Sequence, residues 1–510
     1  MRNIRIFRSE IHRNCRFKSR HWLTLLIIIS YILPGSLPAL AQYHGGNGEP
    51  NTPFLIADDF DMYQIGLHPE HYSKHFKLIA DIDLFMFTGT LFNIIGSDSK
   101  PFGGVFDGSG YKIKNFTYTS TDSDYIGLFG YVGAKARIQD LSLVGVNIDA
   151  GSGSNVGGLA GYNEGTIVNC SVVGSITATK TDIITAVCIG GLAGENLYGS
   201  ITNCSVGGSV SGNIYVGGLV GRNLFGSITG CHTCNTVTGK ETTGGLIGHN
   251  NEGVLTNCYS IGNVYGKYTA GGLVGINGPE AWIYPPDPVD SILGCYAGGQ
   301  VKGKLNVGGL AGGNYGNVFN SYASGSVTAT EDYTGGLVGG HTSGIISNCY
   351  ACGLVISPGN DVGGLIGHDL WGRSYQKSFW DETVNAGLNG IGNTSDPNVI
   401  AETTANLQKS ATFTNVGWDF VGETYNGDLD YWRMCGDDLV YPELSWQFLA
   451  GDLLCPAGVD ILDLAYWAAH WLDVNCDASN NYCRRGDFNH DGCVDLFDYR
   501  FIAAHWLKIN

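Results

Sequence analysis

The chain has 510 residues, a formal charge of −18, 77 glycines and 15 cysteines, and only 15% of its residues are charged. A content of 43% apolar and 11% aromatic residues excludes a disordered polymer, and glycine recurs neither every third position nor in Gly/Ser runs, which excludes collagen and flexible linkers. The acidic balance excludes a nucleic-acid partner, because phosphate binding needs a basic patch to release counterions.

Residues 1–20 carry seven basic side chains and one acid, and a twelve-residue apolar run at 22–33 follows. A spanning helix needs about 20 residues. Pro34, Gly35 and Pro38 stop this run early, ahead of Ala39-Leu40-Ala41. Residues 1–41 therefore read as a secretory signal peptide. The mature chain is expected to be secreted, extracellular or at the cell surface, with no membrane span once the signal is removed.

Further on, the phrase Gly-Gly-Leu-x-Gly begins at Gly157, Gly190, Gly217, Gly244, Gly271, Gly308, Gly335 and Gly363, with a degenerate copy at Ile126. A recurring spacing of 27 with occasional insertions is a solenoid signature. The copy from Gly244 to Ala270 holds three short apolar or β-branched runs, each closed by Gly or Asn. Such runs are too short for helices, and their punctuation suits positive-φ corners. The expected fold is mainly β: a parallel β-helix of about 27 residues per coil, strands stacked about 4.8 Å apart, with like residues meeting in ladders.

One ladder is the phrase leucine, from Leu159 to Leu365; another is Ile167, Ile201, Ile228, Leu255, Ile292, Val318 and Ile346. A row of Cys170, Cys204, Cys231, Cys258, Cys295, Ser321 and Cys349 precedes a row of Ser171, Ser205, His232, Tyr259, Tyr296, Tyr322 and Tyr350. The cysteines are expected inside as free thiols. That requires the preceding Asn/Gly row (Asn169 to Asn348) to bend and break alternation, since a slip of one residue inverts every face. Facing out, Tyr259, Tyr296, Tyr322 and Tyr350 would form an aromatic strip suited to carbohydrate or partner side chains; facing in, they are core. Trp282 and Tyr284, in a proline-rich insertion, form a candidate contact loop. His249, His341 and His368 read as one row of a solvated turn after the phrase.

These coils resemble GLUG repeats, a motif of large secreted and surface proteins. The resemblance covers roughly residues 100 to 370 and implies an extracellular scaffold without implying any chemistry. The expected organisation is signal 1–41, N-terminal cap and first coils 42–125, β-helix 126–370, aromatic-rich cap 371–450 closing the open end, and a small all-α EF-hand-like domain 451–510.

That last segment carries the one motif with explicit chemistry. Asp487, Asn489, Asp491, Gly492, Cys493, Asp495 and Asp498 stand at positions 1, 3, 5, 6, 7, 9 and 12 of a calcium loop of EF-hand type. Asp487, Asn489, Asp491 and Asp498 are expected to coordinate by side chain, Cys493 by its carbonyl and Asp495 through water. A copy 35 residues upstream keeps Asp452, Asp460 and Asp463 but has Leu454 and Pro456 at positions 3 and 5, which predicts one competent calcium site and one weak or dead one. The tandem loop–helix units resemble a type I dockerin. That resemblance implies docking to a cohesin-like partner through positions 10 and 11, here Ile461, Leu462, Leu496 and Phe497. These apolar pairs suit either a docking patch or an intramolecular clamp on the preceding cap. Cys476 and Cys483 bracket a polar loop and are expected to be bridged in an exported chain; Cys435 and Cys455 form a weaker pair.

The function read from the sequence is a secreted, non-catalytic β-helical binding or adhesion scaffold with a calcium-dependent docking module. A polysaccharide hydrolase or lyase of β-helix type ranks second, because the acids between 157 and 370 do not build one row.

Overall fold

The computed structural model describes residues 43–506 apart from 181–186, 280–290, 372–373, 422–429, 450, 455–457, 477–482, 484 and 489–490. The signal segment 1–41, Trp282, Tyr284, Cys455 and Asn489 lie outside the described residues.

Between Gly244 and Gly271 one coil lays down Ile247–Asn251, Val254–Thr256, Tyr259–Ser260, Val264–Tyr265 and Thr269–Gly271. Five short strands thus replace the three expected, because corners cut the longer runs. Each strand pairs parallel with its equivalents on the coils before and after. Ile247 meets Val220 and Val274, and Leu255 meets Ile228 and Ile292. Tyr259 meets His232 and Tyr296, and Val264 meets Val237 and Val301. The sheet containing Leu255 runs through 12 strands, from Phe54–Ile56 to Ser374–Gln376. Winding therefore starts well before the first glycine phrase. A helix, Asp59–Leu67, interrupts the first turn and is started by Asp58, whose side chain accepts the N–H of Asp61.

The corner that decides which way side chains face is the Asn/Gly row. Asn169, Asn203, Asn257, Asn320 and Asn348 have φ between 47° and 53°, and Gly230 and Gly294 have φ of 63° and 61°. Asparagine and glycine tolerate this left-handed conformation best. The bend resets strand alternation, so the next residue, cysteine or Ser321, points inward and the one after it outward. All six ladder cysteines are buried and free. Burial pushes the Cys349 thiol up to about 12. The phrase leucines and the Ile/Leu/Val row are fully buried, each leucine contributing about 1.5–3 kcal/mol relative to exposure.

A further ladder lies two residues beyond each phrase. Asn163, Asn196, Asn223, Asn250, Asn277 and Asn314 are fully buried, and each Nδ2 donates to the next Oδ1 at 2.7–2.8 Å. Asn314 continues the chain to His341 Nδ1 at 3.1 Å. The expected histidine row is accordingly corrected. His249 and His368 share a register with Tyr162, Glu195, Arg222, Ile276, Gly313 and Gly340, whereas His341 belongs to the asparagine ladder. His249 and His341 are buried strand residues and not part of a solvated turn.

The aromatic-rich segment is also arranged differently from expectation. Of the five tryptophans of this segment, Trp380 enters the coil interior: it follows Ala351 in the inward row, packs on Gly364, and is followed in turn by Ala401 of the strand Val399–Glu402. The chain then turns back along the outside through Thr404–Leu407, Ser410–Thr414 and the hairpin Trp432–Arg433 with Glu443–Leu444. Trp418 and Trp432 lie against Tyr350, and Trp446 against Tyr259 and Tyr296, while Trp371 is exposed. Apolar aromatic area on the coil exterior is what this segment buries.

Two outcomes check this architecture. Asn250→Ala strands the amide partners on both neighbouring coils and should cost about 1–3 kcal/mol, read as a lowered urea midpoint, whereas Thr256→Ala on the coil exterior should leave it nearly unchanged. In alkylation of the native chain followed by peptide mapping, exposed Cys234 should react and the six ladder cysteines should react only after unfolding.

Candidate functional site

The tyrosines point outward and stack. Ring centroids from His232 through Tyr259, Tyr296, Tyr322 and Tyr350 are 4.8–5.0 Å apart, with planes within 6° of parallel. They are nevertheless not an open strip, which corrects the binding-face expectation. Tyr322 and Tyr350 are 6% and 1% exposed beneath the returning segment. Tyr350 Oη donates to Pro442 O at 2.6 Å, and Trp446 Nε1 donates to Gly294 O at 2.8 Å. Tyr259 and Tyr296 remain half-buried. The physical cause is the size of the apolar area that four stacked phenol rings offer: it recruits this chain's own aromatics.

Beyond residue 450, two helices each begin on an aspartate. Asp460 caps Ile461–Ala468 by accepting the N–H of Leu462 at 2.7 Å, and Asp463 Oδ2 accepts the N–H of Asp460 at 2.9 Å. Asp495 and Asp498 repeat this arrangement for Leu496–His505, at 2.7 and 2.9 Å. The carboxylates at positions 9 and 12 thus form reciprocal capping boxes, which fix both the helix starts and the ends of the loops. Equivalent residues Val459 and Val494, and Trp467 and Ile502, share one small core. The Cys476–Cys483 disulfide is present. Cys435 is disulfide-bonded, while its expected partner Cys455 lies outside the described residues.

Within the downstream loop, Asp487 is 1% exposed and accepts the N–H groups of Asp491 at 3.2 Å and Gly492 at 2.9 Å. Asp498, fully buried, accepts from Phe488 at 2.7 Å. Gly492 adopts φ +94°, the turn that position 6 requires. Asp491 is exposed, and Cys493 and Asp495 are half-buried. Asp487 and Asp498 are thus two buried carboxylates on one loop, the ligand type that a hard divalent cation takes.

The upstream loop has the same frame and different contents. Asp463 Oδ1 accepts the N–H groups of Leu453 and Leu454, both at 2.7 Å, and Asp452 Oδ2 accepts that of Gly458 at 2.9 Å. Asp452 Oδ1, however, faces the Arg433 guanidinium at 2.8 Å. Position 3 offers only Leu454, and this loop does not fit calcium.

Ile461, Leu462, Leu496 and Phe497 occupy the first turn of each helix and are 57–70% exposed. They do not bury against the preceding segment, so the clamp alternative fails for these four residues. Among the described residues Arg433 joins the tail to that segment, and sequence reasoning missed it. Its signal, a lone arginine 19 residues before an aspartate, carries no pattern. The three-group cluster His44, Asp58 and Asp61 near the start was likewise not anticipated; His44 Nδ1 lies 2.6 Å from Asp61 Oδ2, and this contact raises the His44 pKa.

The GLUG motif family matches residues 152–177, 185–211, 212–238 and 303–328. A protein of Evansella cellulosilytica, provisionally described as a Gly-rich membrane protein, is 34% identical over 31% of this chain and 19% of its own length. Halomucin of Haloquadratum walsbyi is 29% identical over 32% of this chain and 2% of its own length. The chain thus spans less than a fifth of either relative. A crystal structure from Bacteroides ovatus, provisionally described as an immunoglobulin A1 protease, covers 79% of this chain and 96% of its own at 17% identity, with a TM-score of 0.36. The chain carries GLUG repeats, and they wind as a parallel β-solenoid.

Proposed function

We propose that the protein is an extracellular or cell-surface scaffold, non-catalytic in itself, whose β-solenoid displays a dockerin-like tail charged with calcium in its downstream loop. The observation that carries this reading is the contrast between the two candidate contact surfaces. The tyrosine ladder of the rod is covered at Tyr322 and Tyr350 by the chain's own aromatics, while the tail holds two apolar pairs in solvent at the starts of twin helices. Exposed apolar residues fixed on a rigid frame suit protein docking, and a cohesin-like partner is the class this geometry favours. Relatives described as a membrane protein and as halomucin support placement at the cell surface, and no described helix is long and apolar enough to cross a membrane.

Calcium would bring Asp487, Asn489, Asp491 and Asp498 together with the Cys493 carbonyl, neutralising charge that otherwise sits partly buried. The Leu496–His505 helix would then be held at its start by the cap and the ion together.

Calorimetric titration of the full mature chain should detect one calcium per chain. Asp487→Asn should reduce the affinity at least tenfold; unchanged heats in that variant reject the loop assignment. Incubation with a panel of polysaccharides should release no new reducing or unsaturated ends, and their appearance would overturn the non-catalytic reading.

A further inference from the structure

The hairpin strand Trp432–Arg433 is two residues long, and its side chains point in opposite directions. Trp432 is fully buried against Tyr350, and its Nε1 donates to Asn320 Oδ1 on the coils at 3.4 Å. Arg433 points the other way, into the tail. Nη2 donates to Asp452 Oδ1 at 2.8 Å and Nη1 to the Asp452 carbonyl at 2.9 Å. The guanidinium carbon lies 4.1 Å from the centre of the Phe448 ring. The side chains of Arg433 and Asp452 are 5% and 0% exposed.

We propose that Arg433 takes the place of the metal ion in the upstream loop, so that a cation supplied by the protein latches the tail to the flank of the solenoid. Position 1 of a calcium loop is the first carboxylate ligand. In this loop one oxygen of that carboxylate is held by Arg433 and the other by the N–H of Gly458. Leu454 and Pro456 at positions 3 and 5 bring no side-chain oxygen. A carboxylate buried this deeply needs a counter-charge, and the planar fork of an arginine meets the requirement with fixed direction, which a diffusible ion does not. The same loop frame thus serves two ends: the downstream copy is left for a divalent ion, and the upstream copy is a socket for the preceding hairpin. Because Trp432 and Arg433 are consecutive, the tyrosine ladder and the tail are gripped by adjacent residues on one strand.

The inference rests on the scaffold reading only for the downstream ion, and the two can fail separately. Limited proteolysis of the full chain in excess chelator is the measurement, with cleavage between residues 448 and 460 followed by mass spectrometry. The wild-type chain should resist cleavage there, because the latch needs no calcium. Arg433→Gln should raise the cleavage rate at least tenfold while far-UV circular dichroism of the solenoid stays unchanged. Asp452→Asn, which removes the charge and keeps the shape, should do the same, and Asp487→Asn should not. Protection of this junction that vanishes on chelation in the wild type, or that survives both Arg433→Gln and Asp452→Asn, overturns the latch. So does a second calcium bound per wild-type chain in native mass spectrometry. If Asp487→Asn leaves calcium binding intact while Arg433→Gln frees the junction, the downstream reading fails and the latch stands.

Discussion

Each coil of this protein is bonded to the coils on either side and to little else, so a residue is acceptable only if its equivalents one turn earlier and one turn later accept it. Parallel pairing in strict register imposes that condition on leucine, cysteine, asparagine and tyrosine alike. The left-handed corner at the Asn/Gly row is the point on which the condition turns. It lets one surface of the strand before it and the opposite surface of the strand after it face the interior. Without it the cysteines would lie in water and the tyrosines in a core too narrow to hold them.

Ladders also explain how polar groups survive inside. An isolated buried asparagine would cost stability through its unmade hydrogen bonds. Stacked every coil, each asparagine amide donates to the next and accepts from the one before, and a second donor reaches the carbonyl of a nearby glycine, as Asn250 does with Gly253 at 2.9 Å. The column polarises along its length and ties neighbouring coils together without any covalent link.

Much of the rod was legible in its spacing. The period, the leucine row, the inward cysteines and the required bend all follow from one-letter repetition, because each repeat states the same local rule again. The asparagine column is equally periodic, but polar residues beside glycine read as turn formers. What spacing could not show was where the last aromatics go. Trp418, Trp432 and Trp446 have no repeat to place them, and nothing local distinguishes a residue that closes an end from one that covers a side. Arg433 is the sharper case: its partner Asp452 was visible as a loop position, but the cation that meets it comes from another element. In the tail the carboxylates at positions 9 and 12 read from the sequence as ligands, and the structure uses them as helix caps, a role open to the same residue types.

The returning segment spans the coils that carry Tyr259 through Tyr350 and grips them as a splint grips a limb. Repeat number is therefore free to change in evolution on the side of Gly157 and Gly190, where duplicating or losing a coil disturbs only its neighbours. Toward the tail the same event would slide every ring out from under its cover, so the rod can lengthen from one side only.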